Sequence, residues 1–181
     1  MELQQTLVLI KPDGIQKGLI GEIIKRFESS NLKIQGMKMI HPNENLAKKH
    51  YPLDEKWCKS AFEKTKKSAE EENIKIPFSN HLEFGKTLQK WLVDFITETP
   101  VIAMILKGPN AIKTVRDLVG NTEPSKAEKG TIRGDFASEE NYEKANSVGR
   151  ALRNLIHASD SIENAKREIS LWFNESEIHD Y

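Results

Sequence analysis

A histidine near the end of the chain has the surroundings of a nucleophile. His157 lies in the apolar run NLIHA, and the stretch that follows, SDSIENAKREISLWF, predicts a helix. The first turn of a helix presents unpaired N–H groups and the positive end of the helix dipole, which both favour phosphate. Imidazole is readily neutral and nucleophilic near neutral pH. His157 is therefore a candidate acceptor of a phosphoryl group; the alternative is a half-buried histidine at the end of a strand.

A carboxylate on the following helix could orient this histidine. Glu168 lies seven residues after Ser161, so both residues share one side of the helix. Because helical side chains lean toward the N-terminus, Glu168 can reach back to the ring of His157. Ser159 and Asp160 form no triad with the histidine, since triads are assembled in space and not by adjacency. They are interpreted as helix-capping groups.

The other histidines and the cysteine lack comparable surroundings. Four histidines in polar or loop-like stretches are interpreted as solvated side chains or ordinary hydrogen-bonding groups: His41, His50, His81 and His179. The single cysteine, Cys58, can form no internal disulfide and is interpreted as a small, partly buried side chain.

Basic and hydroxyl side chains suited to a polyphosphate occur in three other stretches. Lys11 stands in KPDG, where the first predicted strand ends, and Arg116 and Thr122 stand in TVRDLVGNTEP. Arg133 lies in GTIRGDF between glycines, which allow close backbone approach. The planar guanidinium group matches phosphate oxygens. Each residue alone could be an ordinary surface residue, but jointly they could hold a polyphosphate beside His157.

Composition excludes several classes of protein. The 181 residues are 38% hydrophobic and 30% charged, and 27 basic residues balance 27 acidic ones. A net charge of zero argues against a broad nucleic-acid surface. No apolar run approaches the length of a membrane span, and the N-terminal stretch lacks the pattern of a signal peptide. We therefore expect a cytoplasmic protein with no membrane partner, in which the RGD tripeptide is a coincidence.

Alternating patterns predict an α+β sandwich in one domain spanning residues 1–181. Strands are expected at residues 6–10, 32–40, 100–108 and 154–158, with helices between them and a loop over residues 121–136. Asn110 and Gly120 are the expected start and stop of one of these helices. Two strand–helix–strand halves, with helices able to cover one face of the sheet, give this architecture. Residues 60–85 are highly charged in part and are interpreted as an exposed, insertion-like excursion.

Six stretches of the chain resemble the nucleoside diphosphate kinases. They are, in chain order, KPDG, GLIGEIIKRFE, KKHY, GTIRGDF, N-x-x-H-x-S-D and EISLWF. KPDG alone is a weak signal, whereas RNLIHASDS together with GTIRGDF is highly specific. The resemblance covers nearly the whole chain except the excursion and a second insertion-like segment, residues 138–149. It implies a ferredoxin-like α/β sandwich, with helices covering an antiparallel sheet, and a homo-oligomer, either a hexamer or a tetramer.

The same resemblance implies a role for each site residue. His157 corresponds to the phosphorylated histidine, Glu168 to the carboxylate that orients it, and Ser159 to a serine near that carboxylate. Lys11 corresponds to a lysine that contacts the ribose and phosphates, and Tyr51 to a tyrosine near the transferred phosphate. The other implied nucleotide contacts are phosphate binding by Arg116, Thr122 and Arg133, ribose binding by Asn154 and an apolar base contact by Leu92.

The implied activity is a two-step exchange of phosphate. His157 takes the γ-phosphate of a nucleoside triphosphate, usually ATP, and passes it to a nucleoside diphosphate of any base. Mg²⁺ is expected to arrive with the nucleotide, not in a carboxylate cage of the protein. One alternative is a non-catalytic relative that binds nucleotide as an interaction module, although the implied residues are all present. A nucleic-acid binder is a further alternative, which the zero net charge disfavours.

Two features depart from the pattern of the family. Ala158 follows the histidine where the family usually has glycine, and its methyl group could crowd the nucleophile. The family's base-stacking phenylalanine falls within the most divergent region, where Trp57, Phe62 and Phe78 are equal candidates. All three aromatic residues could instead simply pack the excursion.

Overall fold

An antiparallel sheet of four strands forms the centre of the computed structural model, which describes residues 2–71 and 76–181. The strands lie in the order β2-β3-β1-β4, and each pair of neighbours is antiparallel. Their bounds are β1 (Leu3–Ile10), β2 (Lys33–Ile40), β3 (Val101–Pro109) and β4 (Ile156–Ala158). The four predicted strands are confirmed, although β1 begins earlier and β4 later than the sequence pattern indicated.

Helices connect and cover the strands. In chain order they are α1 (Pro12–Gln16), α2 (Ile20–Glu28), α3 (Glu44–His50), α4 (Glu55–Glu71), α5 (His81–Ile96), α6 (Ala111–Val119), α7 (Ile132–Phe136), α8 (Tyr142–Ser147) and α9 (Ile162–Trp172). Within the described ranges, no helix combines the length and apolar character needed to cross a membrane.

Both faces of the sheet are covered, and the expectation of a single covered face is therefore wrong. On one face Val8 and Met104 pack against α2 and α6 in one buried cluster. On the other face Leu7 and Ile105 belong to a second cluster with residues of α3, α5 and α9. Burial on both sides explains why β1 and β3 are continuous apolar runs without alternation. The architecture is the ferredoxin-like α/β sandwich that the resemblance implied.

The predicted excursion is a helical hairpin built from α4 and α5. Asn80 caps α5 by accepting hydrogen bonds from two backbone N–H groups, which starts this helix earlier than predicted. The two helices touch where Gly85 faces the fully buried Cys58, and a side chain at Gly85 would collide with its Sγ. Thr65 and Ser68 are also buried, so the charged stretch is not wholly exposed as expected. Residues 72–75 of the excursion lie outside the described residues.

Two local predictions are wrong: residues 121–136 do not form a continuous loop, and Asp160 does not cap α9. The expected loop over residues 121–136 contains α7, in which Gly134 packs so closely on the carbonyl oxygen of Glu128 that no side chain would fit. Helix α9 is capped by Ser161, whose Oγ accepts from the N–H of Asn164, and not by Asp160. Gly120 ends α6 as predicted, with a φ of 84°, whereas Asn110 makes no side-chain cap.

Candidate active site

A cavity of about 700 Å³ opens between β4, α9, the α4–α5 hairpin and the loop after α6. It brings together nine of the residues to which the family resemblance assigns a role, while Ser159 lies behind its wall. These lining residues are Lys11, Tyr51, Leu92, Arg116, Thr122, Arg133, Asn154, His157 and Glu168.

The histidine and the carboxylate meet as their spacing predicted. His157 lies opposite Leu9 in the β4–β1 pair, and so faces the side of the sheet that α9 covers. Its Nε2 lies 2.9 Å from Oε2 of Glu168. Burial alone would raise the pKa of Glu168, but the charge and hydrogen bond of His157, with a hydrogen bond from Ser159, lower it to about 2. Glu168 is therefore an ionised, buried carboxylate at neutral pH.

This pair selects the reactive nitrogen of the ring. An ionised carboxylate only accepts hydrogen bonds, so Nε2 of His157 carries the proton that Glu168 binds. In the neutral ring the lone pair then resides on Nδ1, which is the atom free to act as a nucleophile. The side chain of His157 is 20% exposed, so it is open to the cavity while held from one side.

Ser159 supports the carboxylate, and its interpretation as a helix cap is wrong. Its hydroxyl donates to Oε2 of Glu168 at 2.6 Å and accepts from the backbone N–H of Leu7 at 3.2 Å. Ser159 has no exposed surface. Because its hydrogen bond reinforces the ionised form of Glu168, Ser159 helps to fix the position of the carboxylate beside the ring of His157.

His50 is a site residue that sequence reasoning missed. It was interpreted as a solvated side chain or an ordinary hydrogen-bonding group, yet it is buried, and its ring packs edge-on against His157 with 4.4 Å between centroids. Its Nδ1 accepts a hydrogen bond of 3.1 Å from Nε1 of Trp172. Burial, and secondarily the charge of His157, hold the pKa of His50 well below its ordinary value. The available signal was its place in KKHY, directly before Tyr51.

A metal ion could in principle bind where two histidines and a carboxylate converge. One potential ligand atom from each of His50, His157 and Glu168 lies within 4.8 Å of the others. This mixed donor set suits a transition metal and not Mg²⁺, which prefers oxygen ligands. Moreover, Nδ1 of His50 accepts from Trp172, so its Nε2 carries a proton and offers no lone pair. The residues therefore do not fit a resident magnesium ion.

A buried lysine and asparagine form the second half of the cavity. Nζ of Lys11 donates to Oδ1 of Asn154 at 2.8 Å, and Nδ2 of Asn154 donates to the carbonyl oxygen of Thr122 at 2.8 Å. Burial, followed by the charge of Arg133, lowers the pKa of Lys11 to about 8 against the opposing effect of Asp13. A poorly solvated ammonium group of this kind gains strongly from an anion placed beside it.

The two arginines differ in how many of their N–H donors are already bound within the protein. Arg133 is buried and donates to three main-chain carbonyl oxygens, those of Gly120, Asn154 and Ile156. A guanidinium group has five N–H donors, so about two remain for a ligand. Arg116 is exposed and forms no hydrogen bond to any described residue, which leaves its N–H donors for phosphate oxygens.

The apolar end of the cavity separates the three aromatic candidates. Phe62 and Phe78 pack against Phe84 inside the hairpin and do not line the cavity. Trp57 lines it, as does Leu92. Trp57 is therefore the candidate that faces a ligand.

Ala158 occupies the strand without visible strain. It pairs with Val8 across the β4–β1 ladder, and it is half-buried against the core cluster of that face while also lining the cavity. Because alternate residues of a strand point to opposite faces, the methyl group of Ala158 and the ring of His157 leave β4 in opposite directions.

The sandwich with an oriented histidine and buried cations in one cavity defines a phosphotransferase. The family model described as "Nucleoside diphosphate kinase" matches residues 4–74 and 68–178. A nucleoside diphosphate kinase from Pyrobaculum aerophilum is 42% identical over 182 residues, covering 98% of this chain and 99% of the relative. One from Pyrococcus abyssi is 45% identical over 180 residues, covering 99% and 90%. The chain belongs to the nucleoside diphosphate kinase family.

Solved structures agree with this assignment. The crystal structure of an NDP kinase from P. aerophilum superimposes with a TM-score of 0.92 at 39% identity, covering 99% of this chain and 100% of that one. A transition-state mimic of the nucleoside-diphosphate kinase from Borrelia burgdorferi, with bound vanadate and ADP, gives a TM-score of 0.79 at 36% identity, covering 99% and 92%. The ferredoxin-like fold and the phosphotransferase class are thus confirmed.

Proposed function

We propose that this chain transfers the γ-phosphate of a nucleoside triphosphate to a nucleoside diphosphate through a phosphohistidine at His157. The observation that carries the proposal is the hydrogen bond between Nε2 of His157 and Glu168, inside a cavity that also holds Lys11 and Arg116. This geometry presents Nδ1 to the cavity in its unprotonated form. A degenerate relative, acting only as a nucleotide-binding module, would not need this arrangement.

The chemistry proceeds in two matched halves. Nδ1 of His157 attacks the γ-phosphorus, a P–N bond forms, and the bond from that phosphorus to the β,γ-bridging oxygen breaks. The nucleoside diphosphate leaves with the electron pair of that bond. In the second half, a terminal phosphate oxygen of another nucleoside diphosphate attacks the phosphohistidine and the P–N bond breaks. Glu168 balances the positive charge of the ring while it carries the phosphoryl group.

Substrate binding is divided along the cavity. Lys11, Arg116 and Thr122 would contact the phosphates, and Asn154 the ribose. The base would lie between apolar side chains, those of Trp57 and Leu92. Since apolar packing scarcely distinguishes one base from another, we propose broad base specificity. Tyr51 would lie near the transferred phosphate, and burial raises the pKa of its hydroxyl, which keeps it protonated.

Two further elements of the proposal extend beyond the single chain. Mg²⁺ would enter with the nucleotide and neutralise charge on its phosphate oxygens, because the residues of the cavity do not form an oxygen cage for it. The chain would assemble as a homo-oligomer, a hexamer or a tetramer, of single domains that carry the insertion-like segments 60–85 and 138–149.

Intact-mass measurement tests the proposal directly. Incubation with ATP and Mg²⁺ is expected to add one acid-labile phosphate, and added GDP is expected to remove it and appear as GTP. The variant His157→Ala should gain no phosphate while binding ADP within about threefold of the unmodified protein, because the phosphate and base contacts remain. Nucleotide binding with no gain in mass of the unmodified protein would contradict the proposal and favour the non-catalytic alternative.

A further inference from the structure

A buried polar cluster lies directly beside the cavity and is centred on Glu123. Its carboxylate is only 2% exposed. Oε2 accepts a hydrogen bond of 2.9 Å from Oγ of Ser68 in α4, and Oε1 accepts one of 3.0 Å from the backbone N–H of Tyr142 in α8. Nζ of Lys126 lies 3.0 Å from the same Oε2. One carboxylate therefore ties both insertion-like segments to the loop that follows α6.

Such a carboxylate requires an explanation, because burial of a charge is costly unless the charge is paired and hydrogen-bonded. The partners meet from distant parts of the chain: Ser68 and Glu123 are 55 positions apart, and Glu123 and Tyr142 are 19 positions apart. Ser68 is itself buried, and Nζ of Lys126 donates to its Oγ at 2.7 Å. The cluster thus joins α4, α8 and the loop that follows α6.

The cluster continues into the substrate half of the cavity. Glu123 follows Thr122, and its own N–H is held by Oδ1 of Asn121 at 3.0 Å. The carbonyl oxygen of Thr122 accepts from Asn154, whose Oδ1 accepts from Nζ of Lys11. A path of covalent and hydrogen bonds therefore leads from the insertion-like helix α4, through the Glu123 loop, to the buried ammonium group.

The hydrogen bond between Ser68 and Glu123 fixes the position of one face of α4. Positions 57, 61, 64 and 68 follow the helical spacing of one face, and Trp57, Ala61 and Lys64 line the cavity. Ser68 lies on that face and is fixed to Glu123, and Glu71, at the end of the same face, lies 3.3 Å from Nζ of Lys126. Fixing Ser68 therefore fixes the part of α4 that covers the cavity, where a nucleotide would lie.

We infer that Glu123 is a positioning residue for nucleotide binding, joining α4 and α8 to the Thr122–Asn154–Lys11 network. This inference rests on the proposed function. The pair of His157 and Glu168 is held by β4 and α9, and it contacts none of the Glu123 cluster. Loss of Glu123 should consequently affect the binding of nucleotide far more than the chemical step.

The test compares the steady-state kinetics of Glu123→Ala with those of Glu123→Gln. We expect Glu123→Ala to raise KM for the nucleoside diphosphate about tenfold, the effect of losing hydrogen bonds to one charged group. Its kcat should stay within about threefold. Glutamine keeps the shape but replaces one of the two acceptor oxygens by an NH₂ donor, so Glu123→Gln should recover only part of the lost affinity. Glu70→Gln is the matched control on α4, since Glu70 is 68% exposed, and it should change neither constant.

A second variant keeps the inference testable if Glu123→Ala folds poorly. Ser68→Ala removes only the hydroxyl from α4 and should raise KM by about threefold to tenfold. Combined with Glu123→Ala it should add little, because the two side chains act through one interaction. A merely structural role would lower kcat with the folded fraction and leave KM unchanged.

The outcomes separate this inference from the proposed function. If the unmodified protein transfers phosphate and Glu123→Ala and Ser68→Ala keep its KM, the inference is overturned. If the unmodified protein transfers no phosphate, the proposed function fails, and ADP titration of the same variants still decides. Unchanged ADP affinity in both variants would then overturn the role of Glu123, and an affinity weakened about tenfold would support it.

Discussion

The two halves of the cavity are built in different ways. The nucleophile half consists of His157, Ser159 and Glu168, which lie within one short stretch of β4 and α9. The substrate half brings Lys11, Asn154 and Thr122 together from widely separated parts of the chain, and Lys11 and Asn154 are 143 positions apart. The first half depends on one strand and one helix, and the second depends on the assembly of the whole sandwich.

This difference separates chemistry from binding. The nucleophile half rests against the sheet, whose central strands are buried on both faces. The substrate half is closed by the α4–α5 hairpin and by loops. We therefore expect changes in the first half to lower kcat, and changes in the second half to raise KM or to lower kcat/KM.

Among the proposed variants, Glu168→Ala should have the largest effect on activity, and it should impair only the nucleophile half of the cavity. Without the carboxylate, the ring of His157 loses the partner that fixes its orientation and its tautomer. Misplacement of a reacting group by about 1 Å costs about a hundredfold, so we expect kcat to fall about a hundredfold with KM within about twofold. Stopped-flow phosphorylation by ATP would measure the loss. Lys166→Ala, on the exposed side of the same helix, is the control. A rise in the KM of Glu168→Ala as large as its fall in kcat would refute the division between chemistry and binding.

The spacing of residues in the sequence predicted the pair of His157 and Glu168 but not the place of Ser159 beside it. His157 and Glu168 were paired from helical periodicity alone, because both lie on consecutive elements whose directions follow from the chain. The capping interpretation of Ser159 failed because its hydroxyl turns toward Glu168 and the backbone of Leu7, which is distant in sequence. Local pattern cannot show such a contact.

The roles of Tyr51, Leu92 and Asn154 came only from the family resemblance, and some residues in or beside the cavity escaped even that. His50 is 122 residues from Trp172, and its burial requires α3 to pack beside α9. Ser68 stood in a charged stretch that predicted exposure, yet it is buried against Glu123. In both cases the deciding partner is far along the chain, so no window of sequence contains both residues. The choice of Trp57 over Phe62 likewise required the direction of α4 over the cavity.

The pH dependence of kcat/KM should report on Lys11 in the substrate half of the cavity. Burial, and then the charge of Arg133, lower the pKa of Lys11 to about 8, so its ammonium group loses its charge above that pH. The free protein then binds phosphates less well, and kcat/KM should fall by up to about tenfold per pH unit above pH 8. Bound phosphates favour the charged ammonium group and raise its pKa, so kcat should decline only at a higher pH. A kcat/KM that stays constant from pH 7 to 9.5 would contradict this assignment.

Gly85→Ala should have the smallest effect on catalysis and should act on the stability of the hairpin. The added methyl group would collide with the sulfur of Cys58, which is fully buried between α4 and α5. Overpacking of this kind costs about 1–3 kcal/mol of unfolding free energy, measurable by urea denaturation. The double variant Cys58→Ala/Gly85→Ala makes room for the methyl group and should regain part of the loss. Since the hairpin closes only the substrate half, any kinetic change should be in KM; a lower kcat for folded protein would show that the hairpin also holds the nucleophile.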